Sequence, residues 1–93
     1  MTLKSYPAGT TVRLHCTFYD FDNEKVDPSL LKVLIRNYQQ QIVEQLTPTK
    51  KITGEYYLDY ITPNKPQTVY YEWYGEIDGL PSIKRDGFVT KFM

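Results

Sequence analysis

A chain of 93 residues sets a single domain, 1–93, which at this size buries roughly 65% of its unfolded surface, enough for one modest core. Eleven basic and eleven acidic residues cancel to a formal net charge of zero and are scattered, so the basic field that a phosphate backbone demands is missing and nucleic acid is excluded as a partner class. One cysteine, Cys16, excludes an internal disulfide, and no apolar run has signal-peptide or membrane-span length, so the expectation is a cytosolic product with no membrane partner.

In chain order, "YPAG" at 6 to 9 is a Pro-Gly turn that opens the first run. Val12, Leu14, Cys16 and Phe18 then alternate with Thr11, Arg13, His15, Thr17 and Tyr19, the period of a half-buried strand. "DFDNEKVDPS" at 20 to 29 breaks it with Asp, Asn and Pro. "LLKVLIRNY" reads as a strand with Leu31, Val33 and Ile35 inward. A helix over 29 to 46, with Leu30, Leu31, Leu34 and Ile35 as its stripe, is the alternative; otherwise Asn37 and the glutamines mark a hairpin returning through Ile42 to Leu46.

The next strand runs from 55 to 62, bounded by Gly54 and by Pro63-Asn64, with Tyr56, Leu58 and Tyr60 opposite Tyr57, Asp59 and Ile61. "QTVYYEWYGEI" sets Val69, Tyr71 and Trp73 against Tyr70, Glu72 and Tyr74. "DGLPSIKRDG" is loop chemistry, and "GFVTKFM" closes the chain with Phe88, Thr90 and Phe92 on one face of a sheet. Short strands at spacings near ten residues predict an all-β sandwich or small barrel.

Catalytic material is sparse. His15 and Cys16 are adjacent on a strand and point apart, so they form no nucleophile pair, and no second His or Cys exists to complete a zinc site. Glu72 and Glu76 share a face about 13 Å apart at strand rise, too far for paired glycosidase carboxylates, and read as solvated charges. Asp20, Asp22 and Glu24 alternate like a calcium loop, but the Gly and Glu such a loop needs are missing. No phosphate loop appears. The expectation is a protein without catalytic residues, metal or cofactor.

Tyr70 and Tyr74, flanking Glu72, project from the outer face if Val69, Tyr71 and Trp73 are core. They either pack on cross-strand neighbours such as Tyr57 or Arg36, or form a working surface. Tyr70, Glu72, Tyr74 and Tyr57 are therefore the candidate interaction face.

The order of "AGTTVRLHCTFYD", "KVDPSLLKVLI", "TGEYYLDYITP", "VYYEWYG" and "DGFVTKF" resembles that of small immunoglobulin-like proteins of tailed bacteriophages and prophages, from Gly9 to Phe92. "NYQQQIVEQL" stands where those proteins usually carry a Pro-Asp-Gly type turn. The resemblance implies an immunoglobulin-like β-sandwich of about seven antiparallel strands, with Tyr71 and Trp73 as core anchors. In it Asp27-Pro28 shapes a turn, and Gly54 and Gly87 allow tight strand starts. It also implies a structural or accessory role in the particle's head-tail or tail region, by contact with other phage structural proteins or with itself. Such a protein resides in the host cytoplasm during assembly and in the virion once incorporated. The competing expectation is a carbohydrate-binding module that stacks a glycan on exposed tyrosines beside Glu72 and Asp59.

Overall fold

A computed structural model describes residues 3–93 and contains eight strands and, among those residues, no helix. They are β1 (Lys4–Pro7), β2 (Thr11–Thr17), β3 (Ser29–Arg36), β4 (Ile42–Leu46), β5 (Thr49–Ile52), β6 (Glu55–Ile61), β7 (Gln67–Ile77) and β8 (Leu80–Lys91). One sheet has the order β1-β8-β7-β3-β4 and the other β2-β6-β5. The expectation of about seven antiparallel strands is corrected twice: there are eight, and β1 runs parallel to β8, with Lys4 opposite Phe88.

The core is built by the pleat. Val12, Leu14 and Cys16 on β2, and Leu58 and Tyr60 on β6, turn one way, while Val33 and Ile35, Val69 and Trp73, and Phe88 face them from the other sheet. Phe18, just past β2, is fully buried as the alternation predicts. Aromatic edges lock the layers: the Tyr6 ring meets Phe88 at 5.3 Å and 88°, and Phe18 meets Tyr56 at 6.2 Å and 77°.

Between 29 and 46 the chain is a hairpin, not a helix. Leu30 has a φ of 53° in an irregularity between Ser29 and Lys32, and its side chain is exposed, which removes it from any helical stripe. Asn37 directs the turn, its Oδ1 accepting the N–H groups of Gln39 and Gln41, with Gln40 at φ 65°. The chain returns along Ile42–Leu46, with Val43 as an extra residue opposite the Ile35–Arg36 step.

Two stretches differ from the sequence expectation. Residues 80–87 are strand, because Asp78 (φ 54°) and Gly79 (φ 76°) make a two-residue turn whose hand matches strand twist, and every residue from Leu80 to Thr90 pairs with β7. Ladder pairing overrides the local turn chemistry of Pro81 and Ser82 there. At the other end the sheet stops at Lys91, so Phe88 and Thr90 are buried but Phe92 is 71% exposed.

The loop from β2 to β3 is tied down by Asp27. Its carboxylate accepts from Lys50 Nζ (2.7 Å), Gly54 N (2.9 Å) and Tyr56 Oη (2.9 Å). The Lys50 ammonium first, then the Gly54 N–H, pull its pKa down to about 2. Gly54 sits at φ 79°, where a Cβ would lie 3.0 Å from Phe18 O and 2.9 Å from Lys25 Cβ, so only glycine fits.

Phe88→Ala is expected to cost about 3–5 kcal/mol in urea unfolding, and Phe92→Ala less than about 0.5 kcal/mol. The depressed Asp27 carboxyl stabilises the fold fully above its ordinary value, and that contribution fades as pH falls from about 4 to about 2. The gap in thermal midpoint between the wild type and Asp27→Asn should therefore be constant above about pH 5 and close at acid pH.

Candidate functional site

The outer face of the five-stranded sheet is a grid of cross-strand neighbours. β3 and β8 flank β7, so Tyr70 lies between Arg36 and Gly87, Glu72 between Leu34 and Arg85, and Tyr74 between Lys32 and Ile83. Period two places these nine residues away from the core.

Each row has its own physics. Tyr70 rests its ring on Gly87: a Cβ added there would stand 2.8 Å from Tyr70 Cδ1 and 3.0 Å from Val69 O, so the missing side chain is what lets the ring lie down. Tyr74 donates its hydroxyl to Glu76 Oε2 at 2.9 Å, and Lys32 Nζ stands 5.1 Å from its ring centroid. That hydrogen bond, and secondarily burial, raise the Tyr74 hydroxyl pKa above its ordinary value. Both tyrosines are half-buried by their own sheet.

Glu72 differs from the sequence reading of a solvated charge. It is only 6% exposed, and Arg85 Nε at 3.1 Å and Arg36 Nε at 3.5 Å both approach its Oε1. Three long neighbours cover it: the two arginines and Leu34, itself buried. A carboxylate taken out of water needs such partners, and two guanidinium groups on one carboxylate leave the cluster with a charge of +1. Arg36 also donates to Gln40 O at 2.8 Å. Arg85 is engaged through Nε, and among the described residues its terminal nitrogens have no hydrogen-bond partner. A recess of about 330 Å³ is lined by Arg36, Gln40, Tyr70 and Arg85.

Tyr57 does not join this face. It lies on β6 in the other sheet, paired with His15 and Thr49, with the Arg13 guanidinium 4.4 Å from its ring centroid. Arg13 in turn forms a two-pronged pair with Asp59, at 2.6 and 2.8 Å. The core separates Tyr57 and Asp59 from Tyr70, Glu72 and Tyr74, so the expected packing of Tyr70 or Tyr74 on Tyr57 is replaced by packing on Gly87, Arg36 and Lys32. Arg85 was missed as a partner of Glu72 because 80–87 reads locally as loop; the signal that finds it is Asp78-Gly79 between alternating runs.

The remaining candidates sort by environment. Burial pushes the Cys16 thiol up to about 11, which suppresses thiolate chemistry, and His15 is exposed on the far side of the strand. Asp20 Oδ1 accepts the N–H groups of Asp22 and Glu24, so this carboxylate closes its own loop. Among the described residues, no three His, Cys, Asp or Glu side chains converge as metal ligands. Comparison with protein-family models, with curated proteins and with solved structures finds no match.

Gly87→Ala is expected to destabilise the fold by about 1–3 kcal/mol. In a Tyr70→Ala background the same substitution should cost less, since the ring it displaces is gone. Costs that add within about 0.5 kcal/mol in urea unfolding would show that ring and glycine are not coupled.

Proposed function

We propose that this chain is a non-enzymatic structural or accessory protein of a tailed phage or prophage particle, working by protein-protein contact in the head-tail or tail region. The observation that carries the contact reading is the Tyr70–Glu72–Tyr74 face: rings held by their own sheet, and an arginine, anchored on a buried carboxylate, whose outer nitrogens have no hydrogen-bond partner among the described residues. Tyr and Arg are the side chains that dominate binding energy where surfaces meet, and a ring already held by its own sheet loses little entropy on docking. The assignment to a phage particle rests on the motif order from Gly9 to Phe92.

An immunoglobulin-like fold is part of the same reading. It is supported by the strand order, in which β3, β7 and β8 share one sheet with two edge strands, β1 and β4, while β2, β5 and β6 form the other. Trp73 takes the central inward position of β7, with Tyr71 two residues before it.

A second reading, a glycan-binding module, is favoured by the recess beside Tyr70, where Gln40, Arg36 and Arg85 supply planar hydrogen-bonding groups around a ring.

Peptide mass spectrometry on particles purified after prophage induction tests the first reading. The expected result is peptides of this chain at stoichiometric level, with reduced incorporation of Arg85→Lys, which keeps a cation beside the buried Glu72 but removes the outer guanidinium nitrogens. Absence from clean particles, with no capture of any particle protein by the wild-type chain, overturns it. Binding of a host wall glycan by the wild type, lost in Tyr70→Ser, would favour the second reading.

A further inference from the structure

The two sheets leave four outer edges, and three carry features that discourage pairing. β1 is four residues long and ends at Pro7, β5 is four residues long and carries Lys50 and Lys51, and β4 is bulged at Val43. β2 is different: seven residues, an uninterrupted register against β6 and, among the described residues, no strand on its other side.

The hydrogen-bond directions of β2 follow from its ends. Phe18 N–H donates to Gly54 O, and Thr10 O accepts from Thr62 N–H, so even-numbered residues of this run address β6. Alternation then turns the N–H and C=O groups of Thr11, Arg13, His15 and Thr17 to the free edge. Lys84 Nζ occupies one of them, donating to Thr17 O at 2.6 Å.

Beside this edge lie two recesses of about 310 and 400 Å³ that share His15, Tyr71 and Asp86. Trp73 lines the second, is 2% exposed, and its Nε1 has no hydrogen-bond partner among the described residues. A buried N–H without an acceptor costs free energy, and such groups in native folds are few. The recess walls are cationic on balance. Arg13 and Arg85 are engaged by Asp59 and Glu72, which leaves Lys4 and Lys84 against Asp86.

We propose that the β2 edge and the adjoining recesses receive an extended, carboxylate-bearing segment of a partner protein, which adds as a strand to the three-stranded sheet and brings an acceptor to the Trp73 indole. Main-chain bonds to Arg13 and His15 supply affinity, and alternate side chains entering the recesses supply selectivity. A second copy is the poorer occupant, because pairing two β2 edges brings two copies of the same cationic recesses together and offers no extended carboxylate-bearing segment to either. This edge belongs to the sheet opposite the Tyr70 face, so its test is independent of the phage reading.

The test is an NMR titration of the isotope-labelled full chain with a blocked peptide of about eight residues alternating valine and aspartate. Expected are shifts of the Arg13 and His15 amides and of the indole N–H, which is single because Trp73 is the only tryptophan. Amide exchange at Arg13 and His15 should slow about tenfold, and a lysine-for-aspartate peptide should bind about tenfold more weakly. His15→Pro removes an edge N–H without touching the ladder to β6, and should abolish binding. Lys84→Glu should weaken it about tenfold and serves if the proline variant does not fold. No shift at Arg13, His15 and Trp73 up to about 1 mM peptide, or equal binding by both variants, overturns the proposal. So does protection of those amides by self-association without peptide.

Discussion

The register of the β7–β8 hairpin is the constraint on which the rest of the structure depends. Asp78 and Gly79 form a two-residue turn with both φ values positive, and from it the two strands pair without interruption from Ile77–Leu80 to Gln67–Thr90. Because side chains alternate, that one turn decides which residues of an unusually aromatic strand face the core. A slip of one residue would send Trp73 to the surface and drive Glu72 inward. The same register sets Tyr70 over Gly87 and Glu72 beside Arg85, so the core and the outer grid are two faces of one pairing.

The two layers are held in relation by a few polar ties as well as by the core. Asp27, in the loop that leaves the three-stranded sheet for β3, gathers Lys50, Gly54 and Tyr56, so the crossover is fixed to the β5–β6 hairpin. Lys25 and Glu55 pair next to it. On the opposite side Lys84 reaches from β8 to Thr17 O and places its ammonium 5.8 Å from the Phe18 ring centroid. These contacts are partly exposed and individually modest, but each joins segments distant in sequence, and they fix the geometry of the loop and edge that border the core.

Two surfaces of different character result. The outer face of the larger sheet is a closed grid in which nearly every polar group has a neighbour: Glu72 under two arginines, Tyr74 on Glu76, Tyr70 on Gly87. Its capacity for contact lies in shape and in the free side of Arg85. Among the described residues the β2 edge is open instead, offering unpaired main-chain groups beside a recess lined by Trp73, whose buried indole N–H has no hydrogen-bond partner there. A chain of zero net charge brings no long-range repulsion to either.

Local pattern alone determined most of the layered arrangement. The alternation of Val12, Leu14, Cys16 and Phe18, of Tyr56, Leu58 and Tyr60, and of Val69, Tyr71 and Trp73 states which side of each strand is apolar, and burial follows the period. Asn37 and the glutamines marked their turn because an Asx side chain accepts its own downstream N–H groups. What the tertiary structure decided is everything that needs a partner strand. Residues 80–87 carry turn-forming types and become strand only because β7 is there to pair with, and β1 exists only because β8 lies beside it. Tyr57 alternates as Tyr70 does yet faces the opposite way in space, since sheet membership is not written in the period of a strand. Glu72 looked like an exposed charge because the arginines that bury it stand 36 residues before and 13 after it, and long-range pairing, not local preference, brings them together.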